Sequence, residues 1–238
     1  MPKNIYLSSS EELIKYINED LPNESLIILD SALEQFKLHS NFNASHVYLK
    51  VSEETKNLET VEKIWEIMFS SNLNRSDEIV IIGGGVMLDL CSFAASTYKR
   101  GITFTLVPST LLAMVDASHG GKNGFNNNYG KNQIGTFNLP KGVVVCFELL
   151  NTLKDKDYKD GLIELVKHGL IGSKEIFDKL VSTENFKIDN EIIKKGIQIK
   201  EDIVEEDYLE TGKRKYLNFG HTVGHLIEQD SKFTLSHG

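Results

Sequence analysis

The chain has 238 residues, of which 40% are hydrophobic and 25% charged, and its formal net charge is −8 at pH 7. This composition is typical of a globular protein with one large domain or two smaller ones, and the acidic balance argues against a general nucleic-acid binder. No stretch reaches the ~20 apolar residues of a membrane span, and the N-terminus lacks the apolar core of a signal peptide. The two cysteines, Cys91 and Cys146, lie inside apolar patterns and are interpreted as buried thiols. We therefore expect a cytoplasmic protein without a membrane partner.

Strand and helix patterns alternate through the first part of the chain. Apolar strands are predicted at 26–30, 46–50, 78–82, 103–107 and 143–147, with helical patterns between them. The first helix is marked by Ser9 and Glu12, which form a capping-box pattern. Because this alternation is typical of a mostly parallel sheet, an α/β domain is predicted for residues 1–150. From about Asn151 the patterns are all helical, which predicts an all-α domain over residues 151–238.

A glycine triplet follows the predicted strand 78–82, in the segment EIVIIGGGVMLDL. Glycines at the start of a helix let the backbone approach a pyrophosphate, whose charge the helix N-terminus attracts. The segment lacks the complete G-x-G-x-x-G pattern, so nucleotide binding is here a hypothesis. Asp89, predicted in the first turn of that helix, suits either a binding role or an ordinary interaction with the helix dipole.

Residues 116–142 form a long polar segment that is rich in glycine and asparagine and has little periodicity. It contains Asp116, Lys122, Lys131 and Asn132, and each of the two lysines follows a glycine. A solvated loop is the simpler interpretation of either lysine alone. Two Gly-Lys units beside an acid favour a pocket for an anionic substrate. His119 lies in the same segment and has no evident partner in the sequence.

Histidines at the C-terminal end of the chain suggest a metal site. In NFGHTVGHLIE, His221 and His225 are one helical turn apart and face the same way. With Glu164 and His237, His221 would supply one carboxylate and two imidazoles and leave a coordination position open, as in catalytic zinc sites. His225 would then act on protons. An alternative from the spacing alone makes His225 the ligand and leaves His237 as a terminal residue.

Four long motifs follow one another along the chain: GGGVMLDLCSFAASTYKRG, VPSTLLAMVDASHGGKNGFNNNYGKNQIGTF, GLIELVKHGL and ETGKRKYLNFGHTVGHLIE. In this order they resemble the 3-dehydroquinate synthase family over nearly the whole chain. The resemblance implies a Rossmann-like N-terminal domain that binds NAD, a helical C-terminal domain, and a site between them for Zn²⁺, Co²⁺ or another divalent ion. It also implies a homodimer. The implied reaction converts a sugar phosphate, 3-deoxy-D-arabino-heptulosonate 7-phosphate, to 3-dehydroquinate and phosphate in the shikimate pathway.

The resemblance also implies roles for individual residues. The expected metal ligands are Glu164, His221 and His237, and His225 is expected in the substrate pocket. Further substrate-binding or catalytic positions are Asp116, Lys122, Asn132, Lys167, Lys200, Arg214 and Asn218, with Arg100 reaching the pocket of the neighbouring subunit. The expected NAD-binding positions are Asp30, Glu53, Lys56, Gly84, Gly85, Asp89, Ser109, Thr110, Leu112, Asp116, Lys122, Lys131, Thr152 and Leu153.

Members of this family continue through further helices beyond the position of Gly238, so a truncated chain is expected. The alternatives are another sugar phosphate cyclase, a metal-dependent polyol dehydrogenase of the same fold, and an inactive fragment or a module that only binds. The presence of Arg214, Asn218 and His225 together favours 3-dehydroquinate synthase.

Overall fold

A computed structural model describes residues 1–22, 25–182 and 187–230, apart from the side chains of His39, His225, Leu226, Glu228 and Gln229. The strands are β1 (Lys3–Leu7), β2 (Leu26–Asp30), β3 (Ser45–Leu49), β4 (Glu78–Gly83), β5 (Thr103–Pro108), β6 (Lys122–Asn127), β7 (Gly130–Phe137) and β8 (Gly142–Cys146). The helices are α1 (Ser10–Glu19), α2 (Leu58–Ser70), α3 (Gly85–Thr97), α4 (Asp155–Gly172), α5 (Lys174–Val181), α6 (Asn190–Glu206) and α7 (His221–Asp230).

Six strands form a parallel sheet in the order β1-β8-β5-β4-β2-β3. All five strands predicted from the sequence lie in this sheet, with ends that differ by at most one residue. The parallel α/β prediction is therefore confirmed. Strand β1 was not predicted, because its residues are at most half-buried and show no apolar run. It is placed by pairing along the whole of β8.

Each face of the sheet carries its own core, because successive side chains of a strand point to opposite faces. In β4, Val80 and Ile82 pack on one side, with residues of α1, α4 and α6. Ile79 and Ile81 pack on the other side, against α2 and α3. Strands buried on both faces read as continuous apolar runs, and this is why β4 and β8 are visible in the sequence.

The start of α1 has the predicted capping interaction with a shift of one residue. Oγ of Ser9 accepts a hydrogen bond from the backbone N–H of Glu12 at 3.2 Å. The carboxylate of Glu12 accepts from the N–H of Ser8 at 2.7 Å, where a standard capping box would use Ser9. Both bonds satisfy backbone donors that a helix start would otherwise leave without partners.

The polar segment 116–142 is not a plain loop. It contains the antiparallel hairpin β6-β7, whose strands approach closely at Gly124 and Gly135. A Cβ on Gly124 would lie 2.3 Å from the carbonyl oxygen of Ile134, so only glycine fits there. The hairpin escaped prediction because its glycines and asparagines replace the alternating apolar residues that usually mark a strand.

The chain after β8 is helical in its described part, as predicted. Helix α4 packs directly on the segment that follows β5, since a Cβ on Gly161 would lie 2.4 Å from the backbone nitrogen of Leu112. This contact brings Glu164 and Lys167, both on α4, towards the sheet. None of the described helices combines the length and apolar character that crossing a membrane requires. Both cysteines are free and buried, as predicted. The division into domains near residue 150 stays a prediction.

Candidate active site

Several of the expected NAD-binding positions lie at the carboxyl ends of the parallel strands. Asp30 ends β2, Gly84 and Gly85 follow β4, Ser109 follows β5, and Thr152 ends the short helix after β8. In open α/β sheets, ligands bind outside the carboxyl ends of the strands, at the point where the strand order reverses. Here the chain runs outward from β2 to β3 and then returns to β4 on the other side of β2. The glycine triplet and Asp30 flank this reversal point.

The glycines hold the strand end, the helix start and the next loop close together. A Cβ on Gly83 would lie 2.7 Å from Cγ of Met87 and 3.3 Å from Cβ of Asp30, and one on Gly84 would lie 3.2 Å from Cγ2 of Thr110. Burial raises the pKa of Asp30, although its carboxylate accepts a hydrogen bond from the N–H of Ala32 at 3.0 Å. Glycine at positions 83 and 84 therefore permits this close packing, which larger side chains would prevent.

Lys56 connects helix α3 to the hairpin. Its ammonium donates to Oδ2 of Asp89 at 2.5 Å and to Oδ1 of Asn132 at 2.6 Å, and the side chain is buried. Burial raises the pKa of Asp89, and Lys56 opposes this change. The prediction that Asp89 lies in the first turn of α3 was wrong: it is the fifth residue of the helix, and its carboxylate pairs with a lysine instead of meeting the helix end.

A cavity of about 580 Å³ lies between the hairpin, the segment after β5 and the C-terminal helical part. Eight of the predicted site residues line it, together with His119: Asp89, Asp116, Lys122, Asn132, Lys200, Arg214, Asn218 and His221. These residues come from widely separated parts of the chain, and the fold brings them together. The cavity combines several cations with carboxylates, which suits a polar, anionic ligand.

Asp116 and Lys200 form an ion pair in this cavity. The ammonium of Lys200 donates to Oδ1 of Asp116 at 2.7 Å and also contacts the backbone carbonyl of Asp116. Burial alone would raise the pKa of Asp116, but the nearby Lys200, His168 and Lys167 hold it well below its usual range. Burial lowers the pKa of Lys200, and Lys167 and Arg214 add to this against the effect of Asp116. The two short contacts favour the ionised pair.

Arg214 lies at the back of the cavity in a fixed position. One guanidinium nitrogen donates to the carbonyl of Tyr208 at 2.5 Å, and the other donates to the carbonyl of Gly120 at 2.9 Å. Gly120 has a φ of +102°, and a Cβ there would lie 2.4 Å from the guanidinium, so this contact requires glycine. The side chain of Arg214 is only 2% exposed, which fixes the direction of its remaining donors.

Glu210 connects two of the expected substrate-binding residues and was not predicted. Its carboxylate pairs with the ammonium of Lys122 and accepts from Nδ2 of Asn218 at 3.0 Å. Oδ1 of Asn218 in turn lies 3.4 Å from Nδ1 of His221. The signal that could have found Glu210 is its place in the motif ETGKRKYLNFGH, four residues before Arg214.

Two of the three expected metal ligands lie together. Oε1 of the buried Glu164 is 3.6 Å from Nε2 of His221, and Lys167 pairs with the other carboxylate oxygen of Glu164. Donors on one tetrahedral ion at bond lengths of ~2.0–2.1 Å are separated by roughly 3.3 Å, so this pair fits a divalent ion. His237 lies outside the described residues. His225 has a described backbone in α7, while its side chain does not belong to the described part.

His168 is a further candidate ligand that the sequence analysis missed. Ligand atoms of Asp116, Glu164 and His168 lie within 4.8 Å of one another. Nδ1 of His168 is 3.1 Å from the carbonyl of Gly196, which can only accept, so Nδ1 carries the proton. Nε2 of His168 lies 3.7 Å from Oδ1 of Asp116. Its position one helical turn after Glu164 was the available signal.

Some residues expected at the site do not line the cavity. Glu164 and Lys167 lie next to it, on α4. Arg100 is exposed, has a φ of +69°, and lines a second cavity at the amino end of β4 and β5. Lys131 lies on β7 of the hairpin, 3.7 Å from Oε1 of Glu53. The roles assigned to these residues stay predictions.

Comparisons with known proteins agree with this arrangement. The 3-dehydroquinate synthase N-terminal model matches residues 46–160, and the 3-dehydroquinate synthase C-terminal model matches residues 161–238. A 3-dehydroquinate synthase from Pyrococcus furiosus is 40% identical over 98% of this chain and 70% of its own length. One from Streptococcus sanguinis is 46% identical over 74% of this chain and 51% of its own length. The chain thus spans about half to two thirds of such relatives.

Solved structures of two other synthases have the same fold. A 2-deoxy-scyllo-inosose synthase superposes with a TM-score of 0.86 at 27% identity, covering 98% of this chain and 70% of its own. Another structure, described as that enzyme complexed with carbaglucose-6-phosphate, NAD⁺ and Co²⁺, gives a TM-score of 0.81 at 26% identity, covering 98% of this chain and 69% of its own. A 2-epi-5-epi-valiolone synthase from Streptomyces hygroscopicus, with NAD⁺ and Zn²⁺ bound, gives a TM-score of 0.87 at 21% identity, over 100% of this chain and 70% of its own.

Proposed function

The chain belongs to the 3-dehydroquinate synthase family, and we propose that it carries out the reaction of that family. In this reaction 3-deoxy-D-arabino-heptulosonate 7-phosphate loses phosphate and closes to 3-dehydroquinate, within the shikimate pathway. The observation that carries the proposal is one cavity lined by Lys122, Lys200 and Arg214 together with Asp116 and His221, the last of which lies 3.6 Å from Glu164. The substrate carries a carboxylate and a phosphate, which these cations neutralise in an otherwise acidic protein.

NAD and a divalent metal, Zn²⁺ or Co²⁺, are proposed cofactors. Glu164 and His221 would hold the metal with a third ligand, His237 by the family resemblance. Asp30 and the glycine triplet would hold NAD at the edge of the sheet. When bound, NAD supplies reversible hydride transfer and the metal acts as a Lewis acid and template. The bound groups in the two solved synthases support this choice, as does the donor set itself.

The chain's own residues then bind and orient the substrate. Asp116 stays ionised beside Lys200 and accepts a hydrogen bond from a substrate hydroxyl, which fixes the reacting carbon. Arg214 and Lys122 bind anionic groups, and Asn218 donates to substrate once it leaves Glu210. His225 assists proton movement during loss of phosphate, as the family resemblance implies. Since the hydride is returned, the overall reaction is a lyase reaction without net oxidation.

The protein is further proposed to act on a small molecule alone, in the cytoplasm, as a homodimer. Arg100 is exposed and does not line the candidate active-site cavity of its own chain. This position supports a role in the pocket of a neighbouring subunit.

Phosphate release from the heptulosonate phosphate, measured with and without NAD and Zn²⁺ or Co²⁺, tests the proposal. Release that requires both the nucleotide and the metal supports it. Absence of release at full occupancy of both cofactors contradicts it, and accumulation of reduced NAD with a polyol identifies a dehydrogenase instead.

A further inference from the structure

A second buried pair of ionisable residues, His119 and Glu201, lies at the cavity, whose wall includes His119. Nδ1 of His119 is 3.1 Å from Oε1 of Glu201, and both residues are nearly inaccessible, at 2% and 7% exposure. The other ring nitrogen of His119 is 2.9 Å from the carbonyl of Met114. Oε2 of Glu201 accepts from Nδ2 of Asn4, on β1, at 2.8 Å.

Both members of the pair are held by a second contact. Nε2 of His119 lies against the carbonyl of Met114, and Glu201 accepts from Asn4. Burial opposes ionisation of Glu201, but His119 and Asn4 hold the pKa of that carboxyl below its usual value. The pair is therefore anchored to the segment of Met114 at one end and to β1 at the other.

The pair connects the two pieces of chain that carry the reacting groups. His119 belongs to the segment of Asp116, whose carbonyl accepts from the N–H of His119 at 3.1 Å. Glu201 follows Lys200 directly on α6. The Lys200–Asp116 contact is one link between the segment and the helix, and the His119–Glu201 contact is a second. Because Lys200 and Glu201 are successive residues of α6, their side chains leave the helix in different directions. Together the two contacts restrict both the distance and the rotation between the segment and the helix.

We propose that His119 and Glu201 are positioning residues, which hold Asp116 and Lys200 at the separation that the reaction needs. The inference rests on the proposed function for its catalytic consequence, while its geometric part stands on the contacts alone. Neither side chain contacts the substrate in this proposal. The two residues act through Asp116 and Lys200, in the way that outer partners orient the groups of a site.

Three variants of the full chain test the proposal. Glu201→Ala removes the carboxylate, and Glu201→Gln keeps an acceptor of the same shape for His119. Ile193→Ala is the matched control, because Ile193 is a fully buried core residue on the same helix, away from the cavity. Urea unfolding of each variant at the assay temperature establishes that all three are folded under the conditions in which the rates are measured.

We expect Glu201→Ala to lower kcat/KM for phosphate release about 10- to 100-fold, as outer partners of a site typically do. Glu201→Gln should lose no more than about fivefold, because the amide oxygen of glutamine still offers His119 an acceptor in the same place. Ile193→Ala should lower the resistance to urea and leave the rate of the folded protein unchanged. If Glu201→Ala behaves like Ile193→Ala, the pair is purely structural and the proposal is overturned.

Crystal structures of the same variants separate this proposal from the proposed function. If the unaltered chain releases no phosphate, the proposed function fails, while the Lys200–Asp116 separation still decides the positioning role. Loss of the 2.7 Å contact in Glu201→Ala, with retention in Ile193→Ala, supports that role. An unchanged contact in Glu201→Ala overturns it, whatever the activity.

Discussion

Oδ1 of Asp116 lies 2.7 Å from the ammonium of Lys200, although 84 positions separate the two residues along the chain. The contact joins the segment after β5 to helix α6, and both residues line the cavity. Lys200 is buried, so loss of Asp116 would leave its charge without a partner, which is unfavourable in a protein interior. This pair therefore fixes the relation between the sheet and the helical part where a substrate would bind.

Lys200→Met should reduce kcat/KM for phosphate release about 100-fold or more, the scale of losing one preorganised charged donor. The half-buried Asp116 would also lose its partner, so a lower free energy of unfolding is expected, by about 1–3 kcal/mol. Steady-state kinetics and urea unfolding measure the two effects. Lys195→Met is the control, since Lys195 is exposed on the same helix and, within the described part of the chain, its ion pair is with Glu175 at 3.1 Å. Equal kinetics in both variants would remove Lys200 from the site.

Glu164→Gln should weaken the binding of Co²⁺ or Zn²⁺ by at least about 100-fold, because loss of a direct ligand exceeds loss of an outer partner. Calorimetry gives the affinity, and the visible absorption of bound Co²⁺ reports its ligands. Glu175→Gln, on the exposed face of α5, is the matched control. His221→Gln should resemble Glu164→Gln. If His168→Gln weakened metal binding and His221→Gln left it unchanged, the ion would instead lie between Asp116, Glu164 and His168.

Asp30→Asn should weaken NAD binding about 10- to 100-fold, the range that corresponds to losing charged hydrogen bonds of about 1.5–3 kcal/mol. The reason is its position at the end of β2, where an acidic residue accepts from ribose hydroxyls in folds of this type. Asp77→Asn is a suitable control, because Asp77 caps a turn before β4 through the N–H of Asn74 at 2.7 Å. An unchanged dissociation constant in Asp30→Asn would contradict the assigned nucleotide position.

Asp207 predicts a pH dependence of stability. Its carboxylate accepts from the backbone N–H groups of Thr211, Gly212 and Arg214 at 2.9, 2.7 and 3.0 Å. Burial opposes ionisation, but these bonds lower the pKa of Asp207 from 3.8 to about 2. Because the folded-state pKa is depressed, the stabilisation is present above about pH 3.8 and is lost as the pH falls towards 2.

The variant Asp207→Asn should therefore unfold at lower urea concentration than the unaltered chain near neutral pH, and the difference should shrink as the pH approaches 2. Since the same carboxylate holds the backbone of Arg214, the substrate KM should also rise. Asp202→Asn is the control, because Asp202 is exposed on α6 and contacts only Gln198, at 2.7 Å, among the hydrogen bonds described. A stability difference that is constant across this pH range would contradict the role of the charge.

Much of the fold could be predicted because buried parallel strands have continuous apolar sequences. β4 and β8 are the clearest cases, and their helical neighbours follow from alternation. β1 and the hairpin could not be found this way. The residues of β1 are only partly buried, and the hairpin depends on glycines such as Gly124 that show no period. Their positions are set by pairing with distant strands, which no local pattern reveals.

The site was predictable in its residue types and less so in its partners. Lysines after glycine and paired histidines indicated an anionic ligand and a metal, and the family resemblance supplied the individual positions. Glu201 and Glu210 were missed because an acidic residue on a helix or a loop usually faces solvent. His119 had no partner in the sequence because Glu201 lies 82 positions away. Such contacts follow only from the packing of α6 against the segment after β5.

The most direct test of the central claim is phosphate release by the metal-loaded chain with less NAD than substrate, followed together with the absorbance of reduced NAD. We expect many phosphates released for each NAD, 3-dehydroquinate as the product, and no accumulation of reduced NAD, because the hydride returns in every turnover. Reduced NAD that accumulates in step with product, or no phosphate at full cofactor occupancy, would contradict the account.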